Sequence, residues 1–286
     1  MRYTLVMISY AQAAILGALQ GITELFPISS LGHTVILPSL FGWHLDQSGT
    51  QFVAFVVATH LATALVLLGF FWRDWMRIIR GLIRSLQARE IAEHDTYAKL
   101  GWLIIVSTIP VGVLGILFEK QLTQLFGDPR LVAAALIGNG IILYIAERFR
   151  RRAHEGKGDD ASLARLSWKQ AIGIGCAQCL ALIPGFSRTG LSMTGGLASG
   201  LVHENAARYA FFLATPVILA AAVLKIPDLF IGTDRMIGQT LFGALCSGIA
   251  AYFAIRFLTR YFEQKTLTPF ALYCVLAGAV SLFLLR

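Results

Sequence analysis

The chain has 286 residues, 56% of them apolar and only 14% charged, with a formal net charge of +8 and a mean hydropathy of +0.68. An average soluble domain carries roughly a quarter charged residues, so this composition excludes an ordinary water-soluble enzyme. The basic balance does not point to nucleic acid either, because the cations gather in loops between apolar blocks, the pattern of membrane topology.

An apolar block over about 8–42 comes first, broken in its middle by Pro27-Ile-Ser-Ser30. Gln12 and Gln20 interrupt its apolar run, so no cleavable leader is expected. Spans of about the 20 residues that a bilayer core requires follow at 50–72, 99–118 and 130–148. A second broken block, 168–201, carries Pro184-Gly-Phe-Ser187, and further spans are expected at 206–225, 236–257 and 268–285. The short alternating segments of a membrane β-barrel do not occur. The reading is therefore an all-α polytopic membrane protein. Four cysteines in such surroundings suggest no disulfide framework, and Cys176-Ala-Gln-Cys179 reads as helix packing.

Each broken block has a Ser three residues after its Pro. Aligned on the prolines, Ala14-Ile15 falls on Ala171-Ile172, which suggests an internal repeat, 1–148 and 168–286, joined by a linker at 149–167. The Gly156-Lys-Gly-Asp-Asp160 stretch of that linker reads as solvated loop without chemistry. Sixteen of the 24 cations fall within 73–99, 148–169 and 256–265, and these loops are expected on the cytoplasmic side. Six spans satisfy that assignment only if both broken blocks return to the side they left. They are therefore expected to be two re-entrant helical hairpins, the first dipping in from outside and the second from the cytoplasm. Together the halves would form an inverted-topology repeat with its site near the midplane.

Chemistry concentrates at the two breaks. Glu24 is the acid deepest inside an apolar block, and Arg188 is the matching cation; either charge at the bilayer centre costs roughly 2.5–3.5 kcal/mol. Such residues at two hairpin tips can pair structurally or face a polar ligand. Ser29 or Ser30 can cap the helix after the first break, and Ser187 the helix after the second. Two helix N-termini with Arg188 between them would receive phosphate, with Thr189 and Ser192 as further donors. His33 follows Ser30 by three residues on one helix face, a spacing that suits a base and a nucleophile. Glu24 could hold a divalent cation, Mg²⁺ or Ca²⁺, whose shell substrate phosphates would complete. Gln20, one turn earlier, could add an amide oxygen. Gly17-x-x-x-Gly21 and Gly196-x-x-x-Gly200 read as close-packing signatures. His60, inside the first full span, is by default a site candidate as an intramembrane ionisable residue; a neutral histidine hydrogen-bonded to a neighbouring helix fits as well, and it is left outside the core site.

Two motifs, Gln20-Gly-Ile-Thr-Glu24-Leu-Phe-Pro-Ile-Ser-Ser30-Leu-Gly-His33 and Pro184-Gly-Phe-Ser-Arg-Thr-Gly190, resemble those of the undecaprenyl-pyrophosphate phosphatases, also called bacitracin-resistance proteins. The likeness runs over nearly the whole chain. It implies hydrolysis of a C55 polyprenyl diphosphate to the monophosphate, recycling the lipid carrier for cell-wall precursors in the bacterial cytoplasmic membrane. It also implies roles for Gln20, Glu24, Ser30, His33, Ser187 and Arg188. Leu31 stands where a Thr is common in the family, Thr189 where Ser is usual, and His60 where an amide often occurs. The expected mechanism has Ser30 attack the terminal phosphorus with His33 as general base, in a site open to the outer face. His33 as nucleophile, or as activator of water, is the rival within the same function. A polyprenyl-phosphate transporter or flippase is the alternative from another class. The expected partners are the polyprenyl diphosphate and membrane lipids, with no nucleic acid; a homo-oligomer is left open.

Overall fold

A computed structural model describes residues 8–43, 45–47, 49–125, 128–150, 160–225 and 236–285. Most of the Gly156–Asp160 stretch lies outside the described residues, as do Arg151, Arg152, Lys157 and Arg235.

Among the described residues every regular element is helical. The first broken block forms α1 (Tyr10–Leu25) and α2 (Ser30–Leu40). Ser9 and Gln12 close a capping box at the start of α1, and Phe26, extended ahead of Pro27, ends it. Ser29 caps α2 by accepting from the Gly32 amide. The second block repeats the plan. Ser167 and Gln170 box the start of α9 (Trp168–Cys179), a 3-10 turn follows at Leu180–Leu182, and Ser187 caps α10 (Arg188–Ala198) by accepting from the Gly190 amide.

These caps correct the proline alignment. Ser9 and Ser167, Gln12 and Gln170, Ser29 and Ser187, and Gly32 and Gly190 each stand 158 positions apart, so Ala14-Ile15 falls on Ile172-Gly173. The second turn carries one more residue between its Pro and its cap. Gly185, at a φ of +107°, takes up that residue with a backbone conformation costly to any other side chain.

Among the described residues five helices are long and apolar enough to cross a membrane: α3 (Thr50–Phe70), α5 (Thr96–Leu117), α7 (Pro129–Arg150), α11 (His203–Lys225) and α12 (Ile237–Tyr261). The expected last span is α13 (Thr268–Leu284), apolar but only 17 residues. At 1.5 Å per residue it is about 25 Å long, against a hydrocarbon core of about 30 Å. Short helices α4 (Trp72–Ala88), α6 (Glu119–Gln124) and α8 (Asp160–Ala164) complete the chain. The arms of the broken blocks are shorter than a span, and each pair packs on itself, α1 on α2 and α9 on α10.

The halves interlock. α1 lies along α12, α9 along α5, and α7 along α13. Glycines set the first two distances. A methyl group at Gly17 would sit 2.1 Å from the Gly243 carbonyl oxygen, one at Gly21 2.1 Å from that of Ser247, and one at Gly175 2.2 Å from that of Ser107. Gly17 and Gly175 are again 158 apart. Of the other glycine pair read as packing, Gly200 has nothing near it. At a φ of +91° it makes the left-handed turn after α10 instead.

Gly17→Ala should therefore destabilise the detergent-solubilised protein by about 1–3 kcal/mol. Gly173→Ala, in the matching helix with open space around it, should be neutral or stabilising. Thermal unfolding of the two variants side by side checks this.

Candidate active site

The break after α1 leaves the last carbonyls of that helix without intrahelical donors, and the second hairpin supplies them. Thr189 Oγ1 donates to the Glu24 carbonyl at 3.0 Å, and Ser187 Oγ donates to that of Phe26 at 3.3 Å. Asn139, fully buried on α7, bridges both turns: its Nδ2 donates to the Pro27 carbonyl at 3.0 Å and its Oδ1 accepts from the Ser187 amide at 3.0 Å. The tips touch directly as well: a methyl at Gly190 would lie 3.3 Å from Pro27 Cβ and one at Gly32 3.3 Å from Gly185 Cα, a tight fit.

Glu24 is thereby held at the junction, its side chain 4% exposed. Its Oε2 accepts from Ser30 Oγ at 2.5 Å, from Gln20 Nε2 at 3.1 Å and from His60 Nε2 at 3.0 Å. Its Oε1 lies 3.2 Å from Arg188 Nη2. A carboxylate offers about four lone-pair sites, so Glu24 is saturated by this protein's own donors. His60 Nδ1 also donates, to the Val56 carbonyl at 2.7 Å. Both of its ring nitrogens face acceptors, an arrangement satisfied in full when both carry protons. The buried carboxylate thus sits between a guanidinium and an imidazole, the compensation that a desolvated charge needs.

The structure brings Gln20, Glu24, Ser30 and Arg188 together, and it adds His60. It does not bring His33 there. The Ser30–His33 couple is not formed, because Ser30 Oγ is taken by Glu24 and His33 engages Tyr273 on α13 instead. His33 Nδ1 donates to the Ser29 carbonyl at 2.6 Å, and Nε2 is left to accept from Tyr273 Oη at 2.7 Å, with the two rings stacked 5.6 Å apart. The Thr189 hydroxyl, expected as a donor to phosphate, binds the Glu24 carbonyl instead; those of Ser29 and Ser187 cap their helices, and that of Ser187 also donates to the Phe26 carbonyl. Ser192 is buried with its hydroxyl unpartnered.

A cavity of about 360 Å³ opens beside this cluster. His60, Arg188, Gln178 and Thr34 line its polar part, and Val53, Val57, Val111, Ile218 and Leu224 give it an apolar flank. Gln178, the counterpart of Gln20 at 158 positions, is fully buried, and neither of its amide atoms has a protein partner.

Residues 13–280 match the family described as bacitracin resistance protein BacA. An undecaprenyl-diphosphatase of Mycolicibacterium paratuberculosis is 48% identical over 96% of this chain and 97% of its own length. Undecaprenyl-diphosphatase 1 of Burkholderia pseudomallei is 47% identical over 93% and 94%, and undecaprenyl-diphosphatase 2 of Frankia alni is 41% identical over 96% and 97%. The chain belongs to the BacA family. The two motifs read in the sequence are the segments whose tips meet at Glu24.

Membership sharpens what the residues can hold. No group of three His, Cys, Asp or Glu side chains suited to a metal occurs among the described residues, so the protein alone offers no complete cage. Gln20 Oε1, buried without a partner beside the carboxylate it braces, is an oxygen that a cation would satisfy. Glu24, with its lone-pair sites all taken, could join it in the kind of two-oxygen site that Mg²⁺ completes with phosphates and water only once one of its donors, Arg188, turns away.

Three contributors escaped sequence reading, Gln178, Asn139 and Tyr273, and His60 was weighed but left outside the core site. Each left a signal, being a polar side chain inside an apolar helix, but which helix would face it was not written locally. Asn139→Ala leaves the Ser187 amide without its acceptor and takes a donor from the Pro27 carbonyl. It should lower stability by about 2–3 kcal/mol, and Asn139→Asp, which sets an uncompensated carboxylate oxygen against the Pro27 carbonyl, should lose at least as much. Thermal unfolding in detergent measures both.

Proposed function

We propose that this chain hydrolyses undecaprenyl diphosphate to undecaprenyl phosphate and inorganic phosphate, recycling the lipid carrier of bacterial cell-wall synthesis. The observation that carries the reading is the Ser30 hydroxyl held at 2.5 Å on a buried carboxylate that also faces Arg188. The names and near-full coverage of the relatives support it. Carriage of a lipid phosphate would need the cation and the cavity, but not a hydroxyl poised on a base.

In this reading the diphosphate enters the polar part of the cavity and the prenyl chain follows the apolar flank toward lipid. Arg188, the more open partner of its ion pair at 20% exposure, turns its planar fork to the phosphoryl oxygens. Gln178 gives its free amide N–H groups to the same oxygens. Ser30 Oγ attacks the terminal phosphorus and passes its proton to Glu24, and the bond to the lipid-side phosphate oxygen breaks. Water then cleaves the phosphoserine to release inorganic phosphate. His33, whose Nε2 has a lone pair to offer, turns from Tyr273 to activate that water. Glu24 and Gln20 would hold a divalent cation, which would supply charge neutralisation on the phosphates. Positioning and electrostatics account for most phosphoryl-transfer catalysis.

The finer architecture follows the same reading. The five long helices and α13 make six spans. The hairpins α1–α2 and α9–α10 are re-entrant, and the halves 1–148 and 168–286 form an inverted repeat; the swapped packing of α1 on α12 and α9 on α5 supports this. The arginine-rich loops face the cytoplasm, and the site opens to the outer face of the cytoplasmic membrane.

Purified protein in detergent, with no second compartment, should release inorganic phosphate from undecaprenyl diphosphate; binding without release would instead mean carriage. In that assay Arg188→Lys should lose at least about tenfold in turnover, about 1.4 kcal/mol. Glu24→Gln should abolish turnover or leave a remnant with weakened response to added Mg²⁺. His33→Ala should accumulate phosphate on Ser30, read by mass spectrometry of the trapped protein, and a wild-type trap on His33 would overturn the assignment of Ser30.

A further inference from the structure

Helix α4 is the most amphipathic helix of the chain, and three different surroundings meet it. At about 100° per residue, Trp72, Met76, Ile79, Ile83 and Leu86 fall within an arc of about 80°, and all five are exposed. Arg73, Arg77, Arg80 and Arg84 occupy the next arc, about 60° wide, and are exposed too. The remaining face is turned inward: Ile78, Gly81 and Ser85 are buried.

That inward face fixes α4 against the polar ends of two spans. A methyl at Gly81 would sit 2.5 Å from the Ala98 amide nitrogen, and Ser85 Oγ accepts from Trp102 Nε1 at 2.9 Å. Arg84 donates twice to Asp95, just before α5, and Arg77 donates to Tyr97 Oη. Asp74 pairs at 3.0 Å with Arg208, near the start of α11, and Arg208 also pairs with Asp160. Trp75 packs edge-on against Phe212. The neighbours of α4 are thus the charged ends of α5 and α11, and α4 itself is too charged to cross a bilayer.

A helix with protein on one side, bare apolar side chains on the second and guanidinium groups on the third fits one setting: the plane of a membrane surface, with acyl chains beneath the stripe and headgroups against the arginines. We infer that α4 is an interfacial helix that binds anionic phospholipid on the leaflet carrying the arginine-rich loops. Arg73 and Arg80 are the recognition residues, because Arg77 and Arg84 are already tied to Tyr97 and Asp95. Charge complementarity favours lipid over a second copy of the chain, since two α4 helices joined along their stripes would set their arginine arcs side by side. The inference stands apart from the phosphatase reading.

The full-length protein is reconstituted into nanodiscs of phosphatidylcholine with about 30% phosphatidylglycerol, then stripped with mild detergent, and the retained lipid is analysed by mass spectrometry. Wild type should retain phosphatidylglycerol at least about threefold above its bulk ratio. Arg73→Gln/Arg80→Gln should bring the ratio back toward bulk while thermal stability and turnover in detergent stay unchanged. A fluorophore on Ile83→Cys should be quenched by acyl-brominated lipid and not by aqueous iodide. Retention at the bulk ratio in wild type, enrichment that survives the double substitution, iodide quenching at position 83, or cross-linking of Ile83→Cys to a second copy would each overturn the proposal.

Discussion

A carboxylate taken out of water keeps its demand for hydrogen bonds, and leaving one unmet costs more than an ordinary hydrogen bond returns. Glu24 meets that demand from four separate places: its own helix through Gln20, the next helix through Ser30, α3 through His60 and the second hairpin through Arg188. Those donors come together only if α1 stops where it does. The stop at Pro27 opens a turn, the turn exposes carbonyls, and the second hairpin must then reach across to satisfy them. Burying one charge fixes where three segments distant in sequence lie.

The same economy explains why hydroxyls that resemble ligands do structural duty. Ser187 and Thr189 sit at the start of α10, where a phosphate receptor would be sought, yet their side chains face carbonyls released by α1. What remains open toward the cavity is the Arg188 guanidinium and the unmatched amide of Gln178, while Gln20 Oε1 stays unmatched beside Glu24. In a chain with so few polar groups at depth, a buried amide without a partner marks where something from outside belongs.

Much of this was legible in the sequence because membrane burial makes polar residues conspicuous. The breaks at Pro27 and Pro184, the caps at Ser29 and Ser187, and the nearness of Glu24 to Arg188 all follow from local pattern and the cost of isolated charge. The register of the repeat was misjudged by one residue, because proline was the more visible landmark while the caps govern where helices start. The pairing of Ser30 with His33 failed for a related reason. Three residues of helical spacing put two side chains on one face, but they do not say that the first will find a better partner six residues back, in Glu24. His60 was visible and its partner was not, since interhelical facing depends on the glycine contacts of α1 with α12 and on the packing of α3 between its neighbours.

Counted by the 158-residue offset, the first residue of α2 is Ser30 and the first residue of α10 is Arg188. Twin tips bearing like side chains would oppose hydroxyl to hydroxyl, or guanidinium to guanidinium with mutual repulsion, and would greet a guest identically from either side. Divergence there, and at Glu24 against Leu182, sets unlike chemistry on the two tips. A molecule whose own ends differ, one a phosphoryl cap and the other a long hydrocarbon, can then dock in only one sense.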